Sequence, residues 1–276
     1  MKIHAIQTGR VRIKKAQITG RGHGLWRQAQ PIISQDWADW SPTFAWAIEH
    51  PEGVIVVDTG AAAHLMRLPR WHPYFQLAVR FDIEPEQEIG PQLRELGIGA
   101  HDVKTVVLTH LHIDHDGGLA HFPNSRIIAS GEEIARTSGL SGAINGYLPN
   151  RWPSWFAPEA VAWNPISFGP FARSAQLTRA GDVLAVPTPG HTPNHFSVIV
   201  QDGDEIIFLA GDASYLESTM LSRTVDGVST NEFVSNETQS LIIKLSSERK
   251  VIYLPAHDPD SATRLFRREC VAVAKV

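Results

Sequence analysis

The chain has 276 residues, 43% of them hydrophobic, enough for one large core or two small ones. A formal net charge of −4 and a pI near 6.3 give no overall electrostatic case for nucleic acid or an anionic membrane surface. The single cysteine, Cys270, excludes an internal disulfide and a thiolate metal cage, so any metal site must be built from histidine and carboxylate. The N-terminal residues show no apolar signal core, and no stretch approaches a membrane span, so the expected location is the cytoplasm.

Lys2–Thr8 alternates apolar and polar side chains and predicts an opening strand. Arg10 to Arg27 then carries six basic residues and no acid, broken by Gly20, Gly22 and Gly24. A solvated loop is expected here ahead of a phosphate-binding arm. Thr43–Glu49 and Val54–Asp58 flank Pro51-Glu52-Gly53 and predict a hairpin, closed by Asp58-Thr59-Gly60. Asp58 is either a turn cap or a neighbour of the site described next. Residues 61–84, with Pro69, Trp71, Pro73, Tyr74 and Phe75, form an irregular excursion of weak periodicity. Pro85 or Pro91 opens a helix to Leu96, which Gly97 stops.

The densest chemistry follows. Val106-Val107-Leu108 is a short buried strand that ends at His110, and His110, His112, Asp114 and His115 fall within six residues before Gly117-Gly118. The glycine pair is expected to permit a tight turn. Burying so many imidazoles and a carboxylate is costly unless each finds a partner, and a divalent metal satisfies all of them. His110 and His112, two apart, can reach one ion from one side of an extended segment, while Asp114 and His115 point elsewhere and can serve a second. The alternative is an exposed polar loop.

Beyond it, Arg126–Ala129 predicts a strand and Ser130-Gly131-Glu132-Glu133 a capping box that opens a helix. Residues 139–173 are a second irregular stretch, rich in Gly and Pro, with Trp152, Trp155, Phe156 and Trp163. Long aromatic loops serve as binding loops or interfaces, a homodimer contact among them, or else pack on the chain's own core. Val183–Val186 is a strand before Pro187-Thr188-Pro189-Gly190-His191. Phe196–Val200 and Glu205–Ala210 pair across Asp202-Gly203 and deliver Gly211-Asp212-Ala213-Ser214-Tyr215. A helix lies within Asn231–Leu245, Val251–Leu254 is the last strand and empties into Pro255-Ala256-His257-Asp258, and Pro259–Ala274 forms a final helix. Apolar strands thus end in His110, His191, Asp212 and His257 at four separate places.

The His-x-His-x-Asp-His stretch after a strand, with His191, Asp212 and His257 following in order, resembles the metallo-β-lactamase superfamily. The resemblance runs from Val54 through His257. It implies an α/β fold, the four-layer αββα sandwich, as a single domain over 1–276 with excursions near 61–84 and 139–173; the pattern alone says only mixed α/β. It implies two divalent ions, zinc first, with manganese, iron or cobalt as alternatives. One ion is held by His110, His112 and His191, the other by Asp114, His115 and His257, and Asp212 bridges both.

Asp212-Ala213-Ser214-Tyr215 and Thr188-Pro189-Gly190-His191-Thr192-Pro193 are similar to the N-acyl-homoserine lactonases, the quorum-quenching members. That likeness implies a small-molecule lactone substrate, opened by a metal-bridging hydroxide. Tyr215 would donate to the carbonyl oxygen, and Asp114 would move the proton. The alternative for Tyr215 is a core tyrosine. Other ester or thioester hydrolases share the metal motif, as does a mononuclear-iron redox member; the short stretch after His257 counts against a thioesterase with a helical substrate domain. His195, at the start of a predicted strand, is expected to face away from the metals, and His64, His72, His101 and His121 have no partner in sequence that calls for one.

Overall fold

In a computed structural model, which describes residues 1–66 and 68–273, each of two units has its own sheet. The first comprises Met1–Val11 and Trp40–Val161, the second Arg12–Asp39 and the chain from Ala162 on.

The first unit's sheet contains β1 (Lys2–Ile13, leaving the unit after Val11), β2 (Ser41–Glu49), β3 (Val54–Val57), β4 (Val79–Asp82), β5 (Val103–Val107), β6 (Arg126–Ala129) and β7 (Glu159–Ala160), in the order β4-β1-β2-β3-β5-β6-β7. The β1–β2 and β2–β3 pairs are antiparallel, and β3, β5, β6 and β7 run parallel. Val56, Val57, Val106 and Val107 are fully enclosed, as expected where parallel central strands are covered on both faces and read as unbroken apolar runs. Ile89 and Leu93, from the helix Ile89–Glu95, pack with Leu108, Leu111, Leu119 and Phe122 in the same core. Each such aliphatic side chain contributes roughly 1.5–3 kcal/mol by leaving water. The parallel direction matters most for position: β5 releases the 108–118 loop at its carboxyl end, where α/β sheets place their ligands.

The predicted hairpin is present. The excursion over 61–84 is more ordered than its sequence suggests: it holds a 3₁₀ turn at Ala63–Met66, a helix at Pro73–Leu77 and the edge strand β4. Arg67, within it, lies outside the described residues. Where β1 meets β4, Gly9 adopts φ 73°, and a Cβ there would approach Asp82 O to 2.6 Å. The β1–β2 register shifts at this point, between Gln7 and Arg10.

The second unit's sheet contains β8 (Ala175–Gln176), β9 (Val183–Pro187), β10 (Phe196–Asp202), β11 (Glu205–Gly211) and β12 (Lys250–Pro255), ordered β12-β11-β10-β9-β8. Only β11–β12 is parallel. A helix over Glu232–Glu248 starts where Asn231 Oδ1 accepts from the main-chain N–H groups of Phe233 and Val234, at 3.0 and 3.2 Å. It places Ile242 and Leu245 in one core with Phe208 and Tyr253. The final helix is shorter than predicted, Ser261–Arg267, and stops at Arg268 in the left-handed region; Ala274 lies outside the described residues.

The basic stretch is not a solvated loop. It completes β1, forms the helices Lys15–Ile18 and Gly24–Ile33, and puts its cations to structural use. Lys14 Nζ sits 3.8 Å from the centre of the Trp37 ring, and Arg27 is 3% exposed, donating to Glu232 and to the carbonyls of Asp226 and Ser229. Among the described residues, no helix is long and apolar enough to cross a membrane.

Candidate metal centre

In the first unit, the chain leaves β5 and passes His110 and His112 before a short helix, Ile113–Asp116, that carries Asp114 and His115. The rings of His110 and His112 are 4.7 Å apart and those of His110 and His115 4.0 Å. Hydrogen bonds fix which nitrogen of each ring faces inward. Thr109 Oγ1 gives its one proton to Asp58, so His110 Nδ1, 3.1 Å away, donates to that oxygen and carries its lone pair on Nε2. His115 Nδ1 donates to Asp58 Oδ2 at 2.9 Å, which again leaves the lone pair on Nε2. His112 Nε2 donates to the carbonyl of Asn145 at 3.1 Å, so its lone pair is on Nδ1. Such outer partners are what orient metal-binding imidazoles.

The expected tight turn is present as a 3₁₀ turn over Gly117–His121, but it does not draw on glycine's conformational freedom. Gly117 has an ordinary helical φ of −62°, and neither glycine has a positive φ. The need is for space: a Cβ at Gly118 would stand 2.3 Å from Thr59 O. Next to the cluster, Asp116 is buried and accepts from the Trp152 indole at 2.6 Å. Burial pushes its carboxyl up to about 8, against the Trp152 bond, which lowers it.

In the second unit, β9 ends before His191, β11 delivers Asp212 and β12 delivers His257. The Asp212 carboxylate spans two rings: Oδ2 lies 3.4 Å from His191 Nε2, and Oδ1 lies 3.4 Å from His257 Nε2. One oxygen toward each imidazole is the arrangement a bridging carboxylate requires. Asp226, buried, stands 3.7 Å behind His191 at Nδ1. The ring of Tyr215 lies 5.8 Å from His191 and 5.5 Å from His257.

His195, its ring 6.4 Å from that of His191, has both ring nitrogens hydrogen-bonded. Its Nε2 accepts the main-chain N–H of Asp212 at 3.1 Å, so Nδ1 donates to Thr188 Oγ1, which donates to Ser197 Oγ, which donates to Ala210 O. This chain clamps the end of β11 at the residue that supplies the carboxylate.

The donor set fits divalent cations. His110, His115, His191, His257 and Asp212 are each 5% exposed or less. So many buried imidazoles around carboxylates are stable when a cation takes their lone pairs, and nitrogen and oxygen donors without thiolate suit zinc and its neighbours.

The model of the metallo-beta-lactamase superfamily matches residues 38–257. The chain belongs to that superfamily. It is 26% identical over 273 residues to the N-acyl homoserine lactonase AiiB of Agrobacterium fabrum, covering 96% of each chain. It is 27% identical over 228 residues to a probable metallo-hydrolase of Mycobacterium tuberculosis, covering 77% of this chain and 73% of the other. A solved N-acyl homoserine lactone hydrolase with N-hexanoyl-L-homoserine at its metal centre superposes with a TM-score of 0.73, at 18% identity, over 99% of this chain and 98% of that one. The α/β fold class expected from the sequence, the αββα metallo-β-lactamase sandwich, is therefore the fold of this superfamily member.

Each unit gathers its own predicted residues: His110, His112, Asp114 and His115 on one loop of the first, and His191, Asp212, Tyr215 and His257 around one carboxylate of the second. Sequence reasoning missed Asp58 as the partner of His115, His195 as the clamp on Asp212, and Asp226 behind His191. Asp58 carried the only visible signal, an acid directly after a strand.

Proposed function

We propose that the chain is a dinuclear metal-dependent hydrolase that opens the lactone ring of N-acyl-homoserine lactones. In this reading His110, His112 and His191 hold one ion, Asp114, His115 and His257 hold the other, and Asp212 lies between them. The observation that carries it is the Asp212 carboxylate, which offers a separate oxygen to the His191 and the His257 side. The relatives named lactonases, one of them matched end to end, supply the substrate class.

Two divalent cations in such a set supply Lewis acidity and make water nucleophilic at neutral pH. The chain's own residues do the rest. Tyr215, beside both imidazoles, donates its phenolic proton to the lactone carbonyl oxygen as negative charge develops there. Asp114, half-buried at the start of its helical turn, accepts the proton of the attacking water and returns it to the leaving ring oxygen. Asp58 and Asn145 hold the imidazoles in register, so nothing need reorganise during the reaction. Tyr253 supplies the contrast: it is fully buried, donates to Ser214 Oγ at 2.9 Å, and is the core tyrosine of this region. Zinc is the metal we propose.

The test is a panel of homoserine lactones, simple lactones, thioesters, β-lactams and phosphodiesters on metal-analysed protein. Preference for homoserine lactones by at least about tenfold in kcat/KM, some 1.4 kcal/mol in transition-state binding, is expected. Preference for a thioester or phosphodiester would overturn the substrate assignment and leave the metal centre standing.

A further inference from the structure

Gln17 lies 198 positions before Tyr215 in sequence, yet its side-chain Nε2 donates to the Tyr215 hydroxyl at 2.8 Å, with both residues buried. Both belong to the second unit. Gln17 is rigidly held. Its N–H donates to Lys14 O at 2.8 Å, and its own carbonyl accepts from Gly227 N at 2.7 Å, which ties the helix Lys15–Ile18 to the segment that carries Asp226. Ala16 and Gln17 are the buried residues of this short helix, and Gln17, 3% exposed, is a polar side chain where an aliphatic one would be the cheaper choice.

A phenol has one proton to give and lone pairs to receive. With Gln17 donating to the phenolic oxygen, the Tyr215 proton is directed away from Gln17, on a ring whose centre lies 5.8 Å from that of His191 and 5.5 Å from that of His257. The same bond polarises the O–H, because accepting a hydrogen bond makes a hydroxyl a better donor. We infer that Gln17 is a positioning residue: by donating to the Tyr215 oxygen it aims the phenolic proton at the substrate carbonyl. This rests on the reading of Tyr215 given above. A carbonyl or carboxylate in place of the Gln17 amide N–H would do the reverse, since it would accept the proton and take it out of use.

The experiment is a double-mutant cycle on zinc-loaded protein with a homoserine lactone. Gln17→Ala should lower kcat about three- to tenfold, the value of one neutral hydrogen bond, with KM changed less than about twofold, because the donor acts once charge has developed. Gln17→Glu should lower kcat at least as far, because its carboxylate captures the proton. In the Tyr215→Phe background both substitutions should have no further effect on kcat. Equal losses with and without the Tyr215 hydroxyl would overturn the inference and leave Tyr215 itself in place. If Tyr215→Phe alone left kcat unchanged, the reading of Tyr215 would fall instead.

A substrate-free readout separates the two. In protein labelled at tyrosine Cζ, the resonance lost in Tyr215→Phe identifies Tyr215 among the four tyrosines. Gln17→Ala should move that resonance more than any of the other three. An unmoved Tyr215 resonance would overturn the inference whatever the substrate proves to be.

Discussion

His115 Nδ1 lies 2.9 Å from Asp58 Oδ2, with the two side chains 0% and 2% exposed. Asp58 does more than hold one ring. It also accepts from the N–H and hydroxyl of Thr109, and through that hydroxyl it sets His110. One carboxylate thus determines the tautomer of two proposed ligands. Asp58 itself sits at φ 57°, a left-handed conformation that a non-glycine residue adopts only when its surroundings demand it.

Asp58→Asn should therefore keep the fold but weaken metal retention about 10- to 100-fold, the usual cost of losing an outer carboxylate partner. Competition with a chromophoric chelator reads this directly. Retention equal to that of the parent protein would show that Asp58 is only a turn residue.

His195 makes a different prediction because it touches no metal in this account. His195→Ala strips the buried N–H of Asp212 of its acceptor and should cost about 1–3 kcal/mol. Urea unfolding of metal-free protein measures it. A change below about 0.5 kcal/mol would mean that the Thr188–His195–Ser197 chain is dispensable.

The 139–173 stretch, expected to be irregular, holds a helix at Gly139–Ile144, a 3₁₀ turn at Pro149–Arg151 and β7, and three of its residues anchor it to the cluster. Asn145 accepts from His112, the Tyr147 ring lies 5.4 Å from the His112 ring, and Trp152 donates to Asp116. Trp152 and Phe156, 4.7 Å apart, pack on the core of the first unit, while Trp71 is 62% exposed and Trp155 37%. Trp152→Phe keeps the ring but removes the indole donor to a buried carboxyl, so it should lower stability by about 1–3 kcal/mol. Trp155→Ala should cost less. A thermal melt that ranks them the other way would reverse this assignment.

What the sequence made legible follows from distance along the chain. The four proposed ligands in the 110–115 run, and His191, Asp212 and His257 after strands, announce themselves because strand and candidate ligand are adjacent, and parallel strands gather their carboxyl ends on one edge. The strands themselves were legible because Val56, Val106 and Ile207 lie in runs too apolar to be anything but enclosed. Residues that work through a distant partner were not. Asp58 meets His115 across 57 positions and Gln17 meets Tyr215 across 198, and no local pattern encodes either contact. β4 was missed for the same reason: Val79–Asp82 becomes a strand only because the edge of β1 is there to receive it. The turn at Gly117-Gly118 is legible from the glycines, but the demand of Thr59 for small size is not.

The central claim is a two-ion centre that hydrolyses lactones, and the most direct measurement is a metal titration of the stripped protein followed by homoserine-lactone ring opening. Activity should remain low through the first equivalent of zinc and reach its full value near the second, with two ions per chain by elemental analysis. Asp212→Ala should lose both the metal and the activity, because its carboxylate faces the His191 and the His257 side alike. Full lactone turnover with one ion per chain, or with none, would contradict the account.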